Sequence, residues 1–179
     1  MRIAFALLLF LVSAGVNAQG KTEKRYPLAD RGTLVVSVPA GWNEEVLQQD
    51  KTRPPTIAYR VGGGKDPQVL ISPIWPTRPD TPPIGADQVR KYIEQALGAV
   101  REQAVEKEIP VIEFKGKAGT GFYFDATDKA PKAGEFRYMR QGMLMLDELL
   151  VGFTILSNSR QEPVIRDAMQ LLQGASRAK

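Results

Sequence analysis

The pattern of apolar and polar positions divides the chain into an N-terminal apolar run, two amphipathic helices and a series of strands. The run spans Ile3 to Val12, follows Arg2 and leads to the small residues Val16-Asn17-Ala18. A short positive start, an apolar stretch too brief to span a bilayer and a small-residue cleavage site are the pattern of a secretory signal peptide over residues 1–18. Residues 19–25 carry Lys21, Lys24 and Arg25 around Glu23 and read as a flexible, solvated leader. From Thr33 to Val38 the chain is β-branched, with Leu34, Val36 and Val38 on one face, so a strand is expected there. Pro39 and Gly41 end it, and a polar stretch follows from Asn43 to Arg53.

Thr56–Val61 and Gln68–Ile74 are two further strands, separated by Gly62-Gly63-Gly64-Lys65 in a hairpin turn. Pro73, Pro76, Pro79, Pro82 and Pro83 then stiffen an extended crossover. Val89, Ile93, Ala96, Leu97, Val100 and Ala104 recur at helical spacing, and Asp87 stands near the positive end of that helix. Four strands in series are expected next, over Ile109–Lys115, Thr120–Thr127, Glu135–Leu146 and Leu149–Ser157. Short turns between them argue for an antiparallel meander. The last strand is apolar on both faces, so it belongs at the centre of a sheet covered on both sides. A terminal helix buries Val164, Ile165, Ala168, Met169, Leu172 and Ala175. Its start is either a capping box, Ser159 to Glu162, or Pro163 with Glu162 as cap.

Two helices and about seven strands give an α+β fold: a three-layer α/β/α sandwich with a central, largely antiparallel sheet. One domain, residues 26–176, is the natural count for this length.

Composition narrows the chemistry. The 179 residues include no His and no Cys. That excludes a histidine base, a Ser-His-Asp triad and a zinc helix, along with thiol nucleophiles, disulfides, iron–sulfur clusters and a lipid-carrying N-terminal cysteine. The expected product is therefore exported, periplasmic or secreted, and not a lipoprotein, with no membrane span once the signal is cleaved. The net charge is +4, falls by one without Arg2 and forms no basic stripe, so nucleic acid is not an expected partner. No cofactor is implied.

A strand running into Val38-Pro39-Ala40-Gly41-Trp42 comes before a hairpin, a Pro-rich passage and a long helix. Phe122-Tyr123-Phe124, Arg137 to Gly142, Val151 to Ile155 and a terminal helix follow. This order resembles the PsbP-like fold, an α/β/α sandwich shared by the lumenal extrinsic subunit of photosystem II, a Ran-binding nuclear import factor and many small secreted bacterial proteins. The resemblance spans residues 24–176. It implies a non-enzymatic module that docks on protein partners, without saying which, and it carries over neither catalytic nor partner-binding residues; an exported chain of this kind would serve a protein partner in the cell envelope.

Candidate sites are few. Asp125, Asp128 and Glu135 form an acidic cluster that could offer oxygen ligands to a hard cation, although Asp at turns commonly bonds its own backbone. Trp42 and Trp75 each stand near a proline at a strand end and could be stacking platforms, with core filling as the simpler role for Trp42. Met139, Met143 and Met145 share a face and read as core. Arg137 and Arg140 fall on opposite faces of one strand and form no pair. The leading expectation is an accessory or adaptor module without catalytic residues. A small-molecule carrier using the sandwich end near Trp75 and the Asp128–Gly134 loop comes second. A hydrolase built on Asp125, Glu135, Asp147 or Glu148 comes third.

Overall fold

The computed structural model describes residues 20–48, 53–75 and 84–178; the expected signal peptide and most of the Pro-rich crossover lie outside them. Ten strands and two helices follow in the order β1 (Lys21–Pro27), β2 (Thr33–Pro39), β3 (Trp42–Leu47), β4 (Thr56–Val61), β5 (Gln68–Ile74), α1 (Ala86–Val100), β6 (Ile112–Lys115), β7 (Thr120–Thr127), β8 (Tyr138–Leu146), β9 (Leu149–Ser157), α2 (Glu162–Gly174) and β10 (Ser176–Ala178). β3 to β9 make a seven-stranded antiparallel sheet in the order β3-β4-β5-β9-β8-β7-β6. Two meanders, β3-β4-β5 and β6-β7-β8-β9, thus meet where β5 pairs with β9. The strand that is apolar on both faces, β9, is the middle one of the seven.

The fold is α+β in three layers. α1 packs on β7 and β8 from one side, with Val89, Ile93 and Leu97 against Phe122, Phe124 and Ala126. The methionines 139, 143 and 145 fill the same cluster from the face of β8 that alternation assigned them. The opposite face carries the larger core, in which Ile57, Tyr59, Val69, Ile71, Val151 and Phe153 meet Leu171 and Leu172 of α2.

Several expectations are corrected. The three-layer sandwich does not hold one sheet only. β2 stands in a separate three-stranded sheet, β1-β2-β10, which lies beside α2 and sends Leu34, Val36 and Val38 into the larger core. Residues 21–25, expected as part of the leader, belong to β1. Its side chains are mostly exposed and charged, but its backbone pairs along the whole of β2, and Tyr26 anchors it in the core. The polar stretch after Trp42 begins as β3, an edge strand whose acids have partners: Glu44 bonds Lys24 and Tyr26, and Glu45 pairs with Arg60. β6 begins at Ile112 rather than Ile109. Its register with β7 would place Pro110 opposite Asp125, and proline has no N–H for the ladder. β8 begins at Tyr138 rather than Glu135. α2 begins at Glu162 with Gln161 as cap and no side-chain cap bond, so the expected capping box does not form.

One glycine is required by packing. A Cβ on Gly142 would stand 2.4 Å from Phe153 Cζ and 2.5 Å from the Phe122 carbonyl oxygen, so the centre of β8 admits no side chain there. In the β4–β5 hairpin, Gly62 and Gly63 take φ of +69° and +75°, the left-handed turn that the glycine run predicts.

Candidate functional site

The register of β7 on β8 sets Asp125 opposite Arg140 and Thr127 opposite Tyr138. Arg140 donates from Nε and Nη2 to the two Asp125 oxygens at 2.6 and 2.7 Å, the bidentate geometry that holds a guanidinium most firmly. Its guanidinium carbon lies 4.3 Å from the centroid of Tyr123, two residues along β7 on the same face. Only 18% of the Arg140 side chain is exposed. Burial by itself would lower its pKa, but the Asp125 hydrogen bonds and charge outweigh that and raise it, so the group stays cationic.

Around Arg140 runs a groove between α2 and the β6–β7–β8 side of the sheet. One end is a cavity of about 140 Å³ among Glu106, Thr127, Tyr138, Ser157, Arg160 and Ile165. The other is a more open cavity of about 360 Å³ lined by Phe114, Tyr123, Arg166, Met169, Gln170 and Gln173. The two share Arg140, Glu162 and Ile165 and so form one depression along α2. From Glu162 to Gln173 the helix wall is about 16 Å long at 1.5 Å per residue.

The charges inside are largely matched. Arg160 places its guanidinium carbon 5.5 Å from the centroid of the Tyr138 ring. Glu106, carried by the loop after α1, accepts from Thr127 N at 2.9 Å and from Thr127 Oγ1 at 2.5 Å. Burial would raise the Glu106 pKa; the two Thr127 bonds outweigh it and lower the value.

A second polar cluster ties the two sheets together. The Tyr26 hydroxyl lies 2.5 Å from Glu44 Oε2 and 2.8 Å from the Tyr59 hydroxyl, and Lys24 bonds the other Glu44 oxygen at 2.9 Å. Burial first, then the bond to Glu44, pushes the Tyr26 pKa far up, and burial pushes Tyr59 to about 12. These phenols keep their protons and serve as hydrogen-bonding struts.

The residues singled out from the sequence do not converge. Asp125 is taken by Arg140 on the α2 side. Asp128 Oδ1 accepts from Ala130 N at 2.8 Å and Glu135 Oε2 from Lys132 N at 2.9 Å, both within the connection 128–137. Among the described residues no three acidic side chains are grouped to hold a metal ion. Trp42 packs at the rim of the larger core with its ring 5.9 Å from that of Tyr59. Trp75 is likewise half-buried against that core. The carrier reading placed Trp75 and the 128–134 loop at one end, which the register overturns. Ile74 pairs with Leu150 and Tyr138 with Ser157, so β9 separates the two by about 23 Å at 3.3 Å per residue.

No protein-family model and no curated protein matches the sequence. Solved structures do. The cyanobacterial PsbP protein CyanoP from Synechocystis aligns with a TM-score of 0.52 at 12% identity, over 92% of this chain and 96% of that one. The chain has the PsbP-like fold. LpqN of Mycobacterium tuberculosis, described as involved in cell envelope biogenesis, aligns with a TM-score of 0.52 at 13% identity over 95% and 98% of the two chains. A protein from Bacteroides thetaiotaomicron aligns at 0.54 and 13% identity, with 90% of this chain covering 49% of that one. At these identities the likeness is one of fold. The PsbP-like order of strands and helices expected from the sequence is therefore present.

Tyr123, Tyr138 and Glu106 are the groove residues that sequence reasoning missed. Arg140 was set aside because it does not share a face with Arg137. Its partner is set by the register of β8 on β7, which places Asp125 opposite it. That register is not encoded by a two-residue turn, since β7 and β8 are joined by the long connection 128–137. Asp125 and Arg140 on adjacent strands were nonetheless a visible opposite-charge pair.

Proposed function

We propose that this chain is an exported, non-enzymatic accessory module that docks a protein partner of the cell envelope through the groove beside α2. The carrying observation is Arg140, held in place by Asp125 and Tyr123 at the point where the two cavities meet. Arginine and tyrosine in a partly desolvated centre with a polar rim are the composition of interface hot spots, and a guanidinium already fixed in one geometry loses little entropy on binding. Asp125 and Glu106 of the groove are committed to arginine and threonine donors. That arrangement suits recognition better than proton transfer, which needs a group poised between its two states. The signal-like N-terminus supports export. The fold shared with LpqN, a protein described as involved in envelope biogenesis, agrees with an envelope role.

Site-specific photo-crosslinking tests this reading. A crosslinker at Tyr138 or Gln170 should give one discrete adduct in the native envelope, whereas one at Lys91 on the exposed side of α1 should give none. Arg140→Ala should abolish the adduct while the far-ultraviolet spectrum is retained. The same adduct from Lys91, or none from either groove position, would overturn the proposal.

A further inference from the structure

We infer that a second cavity, on the opposite face of the sheet, is a small-molecule site for an amphiphilic amine. It does not depend on the docking groove. α1 ends at Val100, and a single 3-10 turn, Arg101–Gln103, leads the chain into a bridge between Ala104 and Asp128. The helix therefore stops short of the sheet's end. Ala104 and Ala126 are too small to fill the gap, and a cavity of about 450 Å³ remains between α1, the ends of β7 and β8, and the connection 128–137. Ligand pockets run from about 300 to 1,000 Å³. The connection is anchored rather than loose: Lys129 N donates to Gln103 O at 3.0 Å and Asp128 N to Arg137 O at 2.8 Å, so the cavity is preformed.

Its lining divides cleanly. Val100, Ala104, Ala126, Met139 and Leu156 make an apolar floor, and Phe136 adds an aromatic ring. Asp128, Glu135 and Arg137 bring the charge. Each carboxylate spends one oxygen on a backbone N–H of the connection, and neither forms an ion pair among the described residues. Arg137 is the only cation of the lining, and its guanidinium is drawn to the Tyr138 ring. Two carboxylates against one guanidinium leave the lining with an excess of negative charge, which favours a positive head group, and an apolar floor favours a hydrocarbon body. An ammonium on a chain of about eight carbons meets both demands within this volume.

The test is an amide NMR titration of the chain with octylammonium, octanoate and octanol, each below its aggregation concentration. Octylammonium should give saturable shifts at Ala104, Ala126, Phe136 and Met139, and should bind about three- to tenfold more tightly than octanoate or octanol. Asp128→Asn combined with Glu135→Gln should bring octylammonium down to octanol. Ala104→Leu, judged against an unchanged thermal midpoint, should abolish binding of all three. Equal affinity for octanoate or octanol overturns the amine assignment. Shifts confined to the α2 groove, or no saturable shifts, overturn the site.

Discussion

The two faces of the seven-stranded sheet are covered in different ways. On the α2 face, a helix and a second sheet together seal a core in which Leu34, Ile57, Tyr59, Ile71, Leu171 and Leu172 are buried completely. Phe114 and Phe153 meet there edge to face at 5.9 Å. On the α1 face one helix works alone. A helix is about 10–12 Å across and strands lie about 4.8 Å apart, so it can roof only about two strands, here β7 and β8. The consequence shows on β9. Val151, Phe153 and Ile155 are buried on the α2 side, whereas Gly152, Thr154 and Leu156 on the other side are half-open. Apolar character on both faces placed β9 at the centre without guaranteeing equal cover on each side.

The largest test of that contrast is Phe153→Ala, which opens the sealed core and should cost about 3–5 kcal/mol in urea unfolding. Gly142→Ala forces a methyl into the same region from β8 and should cost about 3 kcal/mol by the same measurement. On the α1 face, Met143→Ala removes a half-buried, adaptable side chain, and about 1–2 kcal/mol is expected. Equal losses for Phe153→Ala and Met143→Ala would abolish the distinction between the faces.

The smallest effects probe the struts between the two sheets. Tyr26→Phe removes one hydroxyl and should cost about 1 kcal/mol. The pH dependence has a definite sign. The Tyr26 hydrogen bond, then Lys24, holds the Glu44 pKa below its ordinary value. Its contribution is complete above the unfolded carboxylate pKa of about 4.3 and is lost as pH falls through the lower folded value. Glu44→Gln should flatten the acid limb of a stability–pH curve below about pH 5. At the alkaline end the sign reverses: with Tyr26 pushed far up and Tyr59 raised to about 12, stability should fall as pH rises from about 10 towards 12, and Tyr59→Phe should make that fall shallower without removing it.

Strands with their own apolar periodicity were legible in the sequence. Thr56–Val61, Gln68–Ile74, Thr120–Thr127 and Leu149–Ser157 lie where alternation and turn residues put them. Both helices follow their stripes. β1 and β3 were not legible, because an edge strand needs backbone partners more than apolar side chains. The acids and bases of these two strands make sense only beside residues far along the chain, as with Lys24 and Glu44. The groove was half legible: its acid and its arginine were both noticed, but nothing local said that they stood opposite one another.

By itself, then, the sequence determined both helices, the strands with apolar periodicity of their own, the order in which these follow, the central place of β9 and the absence of thiol and imidazole chemistry. These depend on periodicity and composition, which each segment carries within itself. Only the tertiary structure decided that β2 leaves the main sheet, that Asp125 turns to Arg140 instead of joining Asp128 and Glu135, and that Trp75 lies a strand's length from the 128–137 connection. Each of these is a question of register or of layer, and register is fixed by the packing of whole faces against one another rather than by any single stretch of chain.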